Sequence, residues 1–467
     1  MQDIFQHIDG HLSESIAELV ALCRLPTVSA QNSAIQETAE HVAGRLEGLG
    51  FQVRILAKPV PSGAEGPAGD GSRGAVQAQP VVFAEQRGES PRTLLFYDHY
   101  DVQPPEPLEL WSSPPFQPTL RDDKLYGRGV SDNKGNIAAR LAAIHAWREV
   151  RGKLPCSLKF CIEGDEEIGS PQMEEFVTEH RQLLAADACL WEGGGVTWEG
   201  VPQVTLGVKG LLYVELECST VSRDAHSSYG TVLPNAAWRL AWALASIKGP
   251  DERVRIEGFY DAVRPSTPEE RAAVEAMPAE EEETLKSYGV ESAVTGVRGL
   301  EYRLRHLFEP TATIDGLSSG YEGEGPKTVL PARAMAKMDF RLVPDQDPHD
   351  ILRKLQRHLE RQGFGDVQVR YLSGERPART PVGDPFVGIV RGAVREAYGR
   401  EPIIVPTMAG TGPLYPFIAT LGLPTADCGI GYPDARIHAP DENIRVEDFR
   451  RGAKAIAALI GRFAPSS

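Results

Sequence analysis

The stretch that most constrains this chain is residues 94–136, LLFYDHYDVQPPEPLELWSSPPFQPTLRDDKLYGRGVSDNKGN. Its apolar opening, Leu94 to Tyr97, predicts a buried strand that ends at Asp98. His99 and Asp101 follow, two residues apart. A Pro-rich, loop-like passage leads from there to Tyr126-Gly-Arg-Gly-Val-Ser-Asp132-Asn-Lys-Gly. A histidine and carboxylates at strand ends, joined by an irregular loop, resemble half of a metal site. The other half must come from elsewhere in the chain.

The rest of the chain alternates strand and helix around this stretch. Apolar residues at helical spacing predict a helix over 3–24, ended by Pro26, and another over 36–49 with Gly50 at its C-cap. Strands are expected over 51–56, from Val81, from Leu94, over 157–162 and over 188–191, with helices over 136–150 and 172–184 between them. Residues 58–80, rich in Pro, Gly and Ala, read as a surface excursion. This alternation predicts an α/β sheet covered by helices, with active residues at the carboxyl ends of its strands.

The texture changes near Gly207. Strands over 211–218, 332–343 and 367–372 alternate as half-exposed strands do, with helices over 234–247, 267–287 and 349–362. The acidic run 280–283 reads as a solvated face. Helix and strand alternation returns at Asp384 and ends in a helix over 446–463. The expected layout is a catalytic α/β domain in two parts, 1–206 and 379–467, with an α+β domain, 207–378, inserted between them.

Composition excludes some partners. The 467 residues carry a net charge of −16, without the basic footprint that a nucleic-acid backbone requires. The N-terminus has neither a basic region followed by an apolar one nor any run near the roughly 18 residues of a membrane span. The six cysteines form no CxxC pair, and buried free thiols in a reducing compartment are expected. A cytoplasmic, non-membrane protein follows as the expectation.

The polar residues at expected strand ends are His99, Asp101, Asp132, Glu166, Glu167, Glu192 and His438. Two histidines and several carboxylates suit one or two divalent cations of the zinc or manganese type. Asp101 lies on the same side of the chain as His99 and is placed to hold its imidazole in one tautomer. In the doublet Glu166-Glu167, one carboxylate can bind metal while its neighbour acts as a base. Each item also has a structural reading: a loop HxD, a helix-capping acidic pair, a solvated histidine. Their joint occurrence at strand ends is what favours a site.

These motifs resemble the co-catalytic zinc metallopeptidase family of carnosinases, cytosolic non-specific dipeptidases, aminoacylases, glutamate carboxypeptidases and succinyl-diaminopimelate desuccinylases. The resemblance is carried by His99-Tyr-Asp101-Val-Gln-Pro, the Tyr126 to Gly135 motif, Glu163-Gly-Asp-Glu166-Glu167-Ile-Gly-Ser, Glu192-Gly-Gly and His438-Ala-Pro-Asp-Glu, in the family's order. In the inserted domain Asp224-Ala-His226-Ser, Pro234-Asn235-Ala, Lys327-Thr328-Val-Leu-Pro and Asp339-Phe-Arg341-Leu-Val-Pro are most similar to the dipeptidase branch.

The resemblance implies two divalent ions per chain, Zn2+ before Mn2+ or Co2+. Asp132 would bridge them, with His99 and Glu192 on one and Glu167 and His438 on the other. Glu166 would take a proton from the bridging water and pass it to the leaving amine, and Asp101 would support His99. The inserted domain would be a lid and dimerisation domain of a homodimer, His226 reaching the partner's site to stabilise the oxyanion. Arg341 would hold the substrate's free carboxylate, with Thr328, Asn235 and Thr411 as further substrate contacts. Ala409-Gly-Thr411-Gly-Pro departs from the more usual Gly-Gly-Ser, and Met408 stands where an acidic residue is more usual. The implied function is hydrolysis of dipeptides or short peptides with a free C-terminal carboxylate. The alternatives are an N-acyl-amino-acid deacylase or desuccinylase of the same fold, and a catalytically inactive binding protein, which the complete ligand set disfavours.

Overall fold

The structure is a computed structural model that describes residues 1–59 and 78–464. The chain divides into two compact units. One comprises Met1–Gly207, Arg379–Pro406 and Pro413–Ser467; the other comprises Val208–Ala378 and Thr407–Gly412. The short segment that carries Thr411 thus groups with the second unit, where the sequence reading had kept it in the first. Most of the Pro/Gly/Ala-rich stretch lies outside the described residues, but its ends, Lys58 and Gln79, are buried rather than on the surface.

A six-stranded sheet centres the first unit, in the order Gln52–Leu56, Val81–Gln86, Cys156–Glu163, Ser90–His99, Ala188–Trp191, Thr425–Asp427. The first two pairings are antiparallel and the last three parallel. Leu94, Leu95, Phe96 and Tyr97 are all fully buried, and this explains the unbroken apolar run: a central parallel strand has no solvent face. The helices Lys134–Arg151 and Val446–Phe463 pack together and against the Ser90–His99 strand. The parallel strands bring His99, Glu163 and Trp191 to one end of the sheet, and the loops leaving that end carry Asp101, Glu166, Glu167 and Glu192. Four residues beyond Trp191, the backbone meets Gly431 in a parallel bridge at Gly195. A Cβ at Gly429 would lie 1.9 Å from the Gly193 carbonyl oxygen, and one at Gly135 would lie 2.0 Å from that of Val130. Both motifs therefore need glycine for backbone approach.

Two expected helices are split. Residues 3–24 form Gln2–Gly10 and Leu12–Cys23, and 172–184 form Met173–Glu179 and Arg181–Leu184. At each break stands a histidine, His11 or His180, whose Nδ1 lies within hydrogen-bond distance of the carbonyl four residues earlier, at 2.9 and 3.1 Å. The local side-chain bond competes with continuation of the helix, which apolar periodicity does not register. The acidic span 267–287 likewise forms two helices. The first, Pro268–Glu275, is closed by a capping box between Thr267 and Glu270.

The second unit is built on a four-stranded antiparallel sheet, ordered Thr313–Ser319, Arg333–Leu342, Gly210–Ser219, Gln368–Glu375. The two central strands bury alternate residues, as their sequence pattern requires. The buried set, including Leu212, Val214, Met338 and Phe340, forms one core with Leu240 and Ala243 of helix Ala236–Ile247 and Ile351 and Leu355 of helix Pro348–Arg361. Tyr213, Asp339 and Arg341 belong to the alternate, less buried set.

All six cysteines are free and buried, and burial pushes the Cys23 and Cys428 thiols up to about 12, which leaves them unreactive. Among the described residues no helix is long and apolar enough to cross a membrane.

Candidate metal centre

The first unit assembles every residue expected to bind metal. Asp132 lies at the middle. Its Oδ1 is 3.0 Å from His99 Nε2 and its Oδ2 is 3.2 Å from His438 Nε2. Each imidazole has its own second carboxylate: Glu192 Oε2 at 3.4 Å from His99 Nε2, and Glu167 Oε2 at 3.0 Å from His438 Nε2. Glu166 Oε2 stands 3.9 Å from His99 Nε2. Donor atoms of His99, Asp132 and Glu167 converge as one group, and those of His99, Glu166 and Glu192 as another. The two histidines come from opposite ends of the chain, one from the end of a core strand and one from the loop before the last helix.

The electrostatics of these groups favour cations. Burial and the neighbouring Glu192 push the Glu166 carboxyl well above its usual range, and burial pushes Glu192 up to about 8. Burial would also raise Asp132, but its contacts with His438 and His99 hold it well below the usual carboxylate range. The same contacts, first to Asp132 and then to Glu167, push His438 up to about 10. Four carboxylates crowded around two imidazoles form a negative site that the histidines only partly compensate. Divalent cations with mixed N and O preference suit this donor set, whose chemistry fits two of them.

Hydrogen bonds hold the loops in place. Asp101 Oδ1 lies 3.3 Å from His99 Nδ1, and its two oxygens accept the backbone N–H groups of Glu166 and Glu167 at 3.2 and 3.1 Å. One carboxylate thereby aligns a histidine and the acidic doublet together. Gln103 Nε2 donates to Glu167 Oε2 at 2.8 Å and Asn133 Nδ2 to Glu192 Oε2 at 2.8 Å.

Glu442 was not singled out from the sequence, although it closes the His438 motif. One of its oxygens accepts from Arg128 Nη1 at 2.7 Å and Gly129 N at 3.1 Å. The other accepts from Ser131 N at 3.0 Å and Asp132 N at 3.1 Å. It thus ties the His438 loop to the Asp132 loop and gives Arg128 a function. Trp111, in the Pro-rich loop, lies against the same guanidinium. Lys58 is a second such residue. Its buried ammonium binds both Glu163 and Asp165, the residues around Gly164 that lead into the doublet. Glu163 also accepts from Tyr97 and Ser170, and Asp165 from the Gln79 backbone. Burial alone would lower the Lys58 ammonium, but Glu163 and Asp165 outweigh it and raise it above its ordinary value.

The remaining candidates lie in the second unit. Arg341 Nη1 donates to Thr411 Oγ1 at 2.7 Å, so these two are together. His226 sits in a short strand paired with Val329, beside Thr328, and its Nδ1 accepts from Ser228 N at 3.1 Å. His226 and Thr328 are exposed. Asn235 caps helix Ala236–Ile247, its Oδ1 accepting from Trp238 N at 3.2 Å.

Comparison with known proteins gives a family match and several relatives. The model of peptidase family M20/M25/M40 matches residues 95–462. A Beta-Ala-His dipeptidase of Rattus norvegicus is 27% identical over 98% of this chain and 94% of its own. A Cys-Gly metallodipeptidase of Saccharomyces cerevisiae is 25% identical over 100% of this chain and 98% of its own. Among solved structures, an M20 family metallo-carboxypeptidase from Sulfolobus solfataricus is similar with a TM-score of 0.88 and 35% identity, covering 97% of this chain and 99% of its own.

The Lys58 cluster yields a direct expectation. Lys58→Met leaves two buried carboxylates without their cation, a loss of about 3–5 kcal/mol for a broken buried pair. Chemical denaturation of the variant should show the first unit destabilised by that order; unchanged stability would mean that the pair contributes nothing.

Proposed function

The chain belongs to peptidase family M20/M25/M40 and is a metallopeptidase, and from that premise we propose that it hydrolyses dipeptides or short peptides next to a free C-terminal carboxylate, using two divalent cations. The observation that carries this reading is Asp132, whose two oxygens face two separate histidine–carboxylate pairs. The names of the relatives support it as well: dipeptidases and carboxypeptidases both release a C-terminal residue.

In this reading His99 and Glu192 would hold one cation, Glu167 and His438 would hold the other, and Asp132 would serve both. Bound there, divalent zinc, manganese or cobalt supplies Lewis acidity for the scissile carbonyl and lowers the pKa of water. Glu166 is the proton carrier. Its carboxylate takes a proton from the attacking water and delivers it to the leaving amine nitrogen. Asp101 fixes the His99 ring through Nδ1 and the backbone of Glu166, so the carrier and a ligand keep a constant relation.

In the second unit Arg341 holds the substrate carboxylate, which a forked, permanently charged donor suits better than lysine does. Thr411, bonded to Arg341, orients the guanidinium or shares the carboxylate. His226 acts on a partner subunit's site as a donor to the oxyanion. Thr328 lies beside it, and Asn235 contributes the amide nitrogen that its capping role leaves over. The working form is then a homodimer through the second unit. Exposed apolar groups there support this: Trp238 and Trp242 stack on one helix at 61% and 56% exposure, and Leu317 on the edge strand is 62% exposed. A cytoplasmic location is part of the same reading, supported by the six free thiols.

The test is a screen of dipeptides and N-acyl amino acids after loading with each metal. Dipeptides should be cleaved in preference, and Glu166→Gln should lower kcat by about 10²–10⁴ with metal retained. Faster cleavage of N-acyl amino acids would favour a deacylase, and full activity of the variant would remove Glu166 from the chemistry. In sedimentation, wild type should run as a dimer and Trp238→Glu with Trp242→Glu as a monomer of reduced activity; a fully active wild-type monomer would refute the role of His226 in a partner's site.

A further inference from the structure

Three histidines of the first unit meet where the two N-terminal helices pack on the helix Lys134–Arg151. His7 and His11 stand four residues apart at the end of Gln2–Gly10, and His145 faces them from Lys134–Arg151. The ring centres of His7 and His11 are 3.9 Å apart, and His145 lies 5.4 Å from the first and 6.2 Å from the second. All three are half-buried. His145 is about 16 Å along its helix from Lys134, so the cluster is separate from the metal centre.

The nitrogens of this cluster are available. His11 Nδ1 lies 2.9 Å from the His7 carbonyl oxygen, which only accepts, so Nδ1 carries the proton and Nε2 of the neutral ring keeps its lone pair. His7 Nε2 is buried and has no hydrogen-bond partner among the described residues. His11 and His145 line a cavity of about 110 Å³ together with Glu14, which brings a carboxylate to the same place. Arg45 also lines it, but is paired with Glu18 at 2.8 Å.

Two histidines four residues apart share one helix face, the spacing at which a helix offers a pair of imidazoles to zinc. An ion bonded to imidazole nitrogen at about 2.0–2.1 Å lies about 3 Å from each ring centre, so tetrahedral ligation spaces the centres by about 5 Å. The His145 separations fall near that value. The nitrogens are not yet grouped as tightly as those of the metal centre. The stacked His7 and His11 rings must part by about 1 Å to share an ion, a side-chain adjustment open to half-buried residues.

We propose that His7, His11 and His145, completed by Glu14, bind a further divalent ion of the zinc, nickel or copper class. Imidazole-rich ligation favours these over magnesium or calcium. The ion ties the N-terminal helices to Lys134–Arg151 and takes no part in hydrolysis, so the site stands whether or not the peptidase reading does.

The experiment dialyses the protein against excess zinc and counts bound ions by elemental mass spectrometry. Wild type should hold one ion more per chain than His7→Gln or His145→Gln, whatever the metal centre itself holds, and magnesium should not fill the difference. Equal zinc content in wild type and both variants overturns the proposal. A second measurement needs no variant. Cu2+ added to the zinc-loaded wild type should give an electron paramagnetic resonance spectrum with coupling to more than one ligand nitrogen, because each half of the metal centre offers a single imidazole. Coupling to one nitrogen only, or none, overturns the proposal even if neither variant folds.

Discussion

One carboxylate has to face two ways. Asp132 directs one oxygen to His99 and the other to His438, residues separated by most of the chain. Everything around it serves to keep that carboxylate, and the pairs on either side, in register. The sheet delivers His99, Glu192 and the acidic doublet from the ends of parallel strands. Glycines at 135 and 429 let backbones approach where any side chain would collide. Glu442 receives four hydrogen bonds and fastens the His438 loop to the Asp132 loop.

The supporting framework is itself ionic and buried. Arg128 with Glu442, Arg140 with Asp98, and Lys58 with Glu163 and Asp165 all lie behind the negative cluster. Arg140 also donates to the carbonyls of Tyr97 and Trp191, the ends of two neighbouring strands. Such pairs add little net stability against an apolar replacement, but losing one partner is expensive. Their value in this protein is geometric. Each ties a loop bearing a site residue to a second part of the chain, so the carboxylates that repel one another cannot drift apart. The second unit also buries a cation, Lys209, whose ammonium donates to the Glu309 carbonyl oxygen.

Much of this was legible in the sequence because its signals are local. The run from Leu94 to Tyr97 announces a strand covered on both faces, and the period-two spacing of His99 and Asp101 places both on one side. The alternation over 211–218 and 332–343 identifies the two central strands of the second sheet to within a residue or two of their observed bounds. What stayed hidden depends on distant partners. Lys58 reads as the edge of a Pro-rich excursion, and nothing nearby discloses that its ammonium lies between Glu163 and Asp165. Arg128 and Glu442 sit in recognisable motifs, yet neither motif contains the other's charge. The breaks at His11 and His180 escaped for a related reason: apolar periodicity continues through them while a ring nitrogen takes the helix carbonyl.

The central claim is that Asp132 serves two cations at once, and metal content tests it most directly. Reconstituted wild-type protein, measured by elemental mass spectrometry, should hold about two ions per chain, as a two-metal site requires. Asp132→Ala, shown to be folded, should lose tight binding of both, because the carboxylate that joins the two sets is gone. Two tightly held ions in that variant, or only one in wild type, would contradict the account.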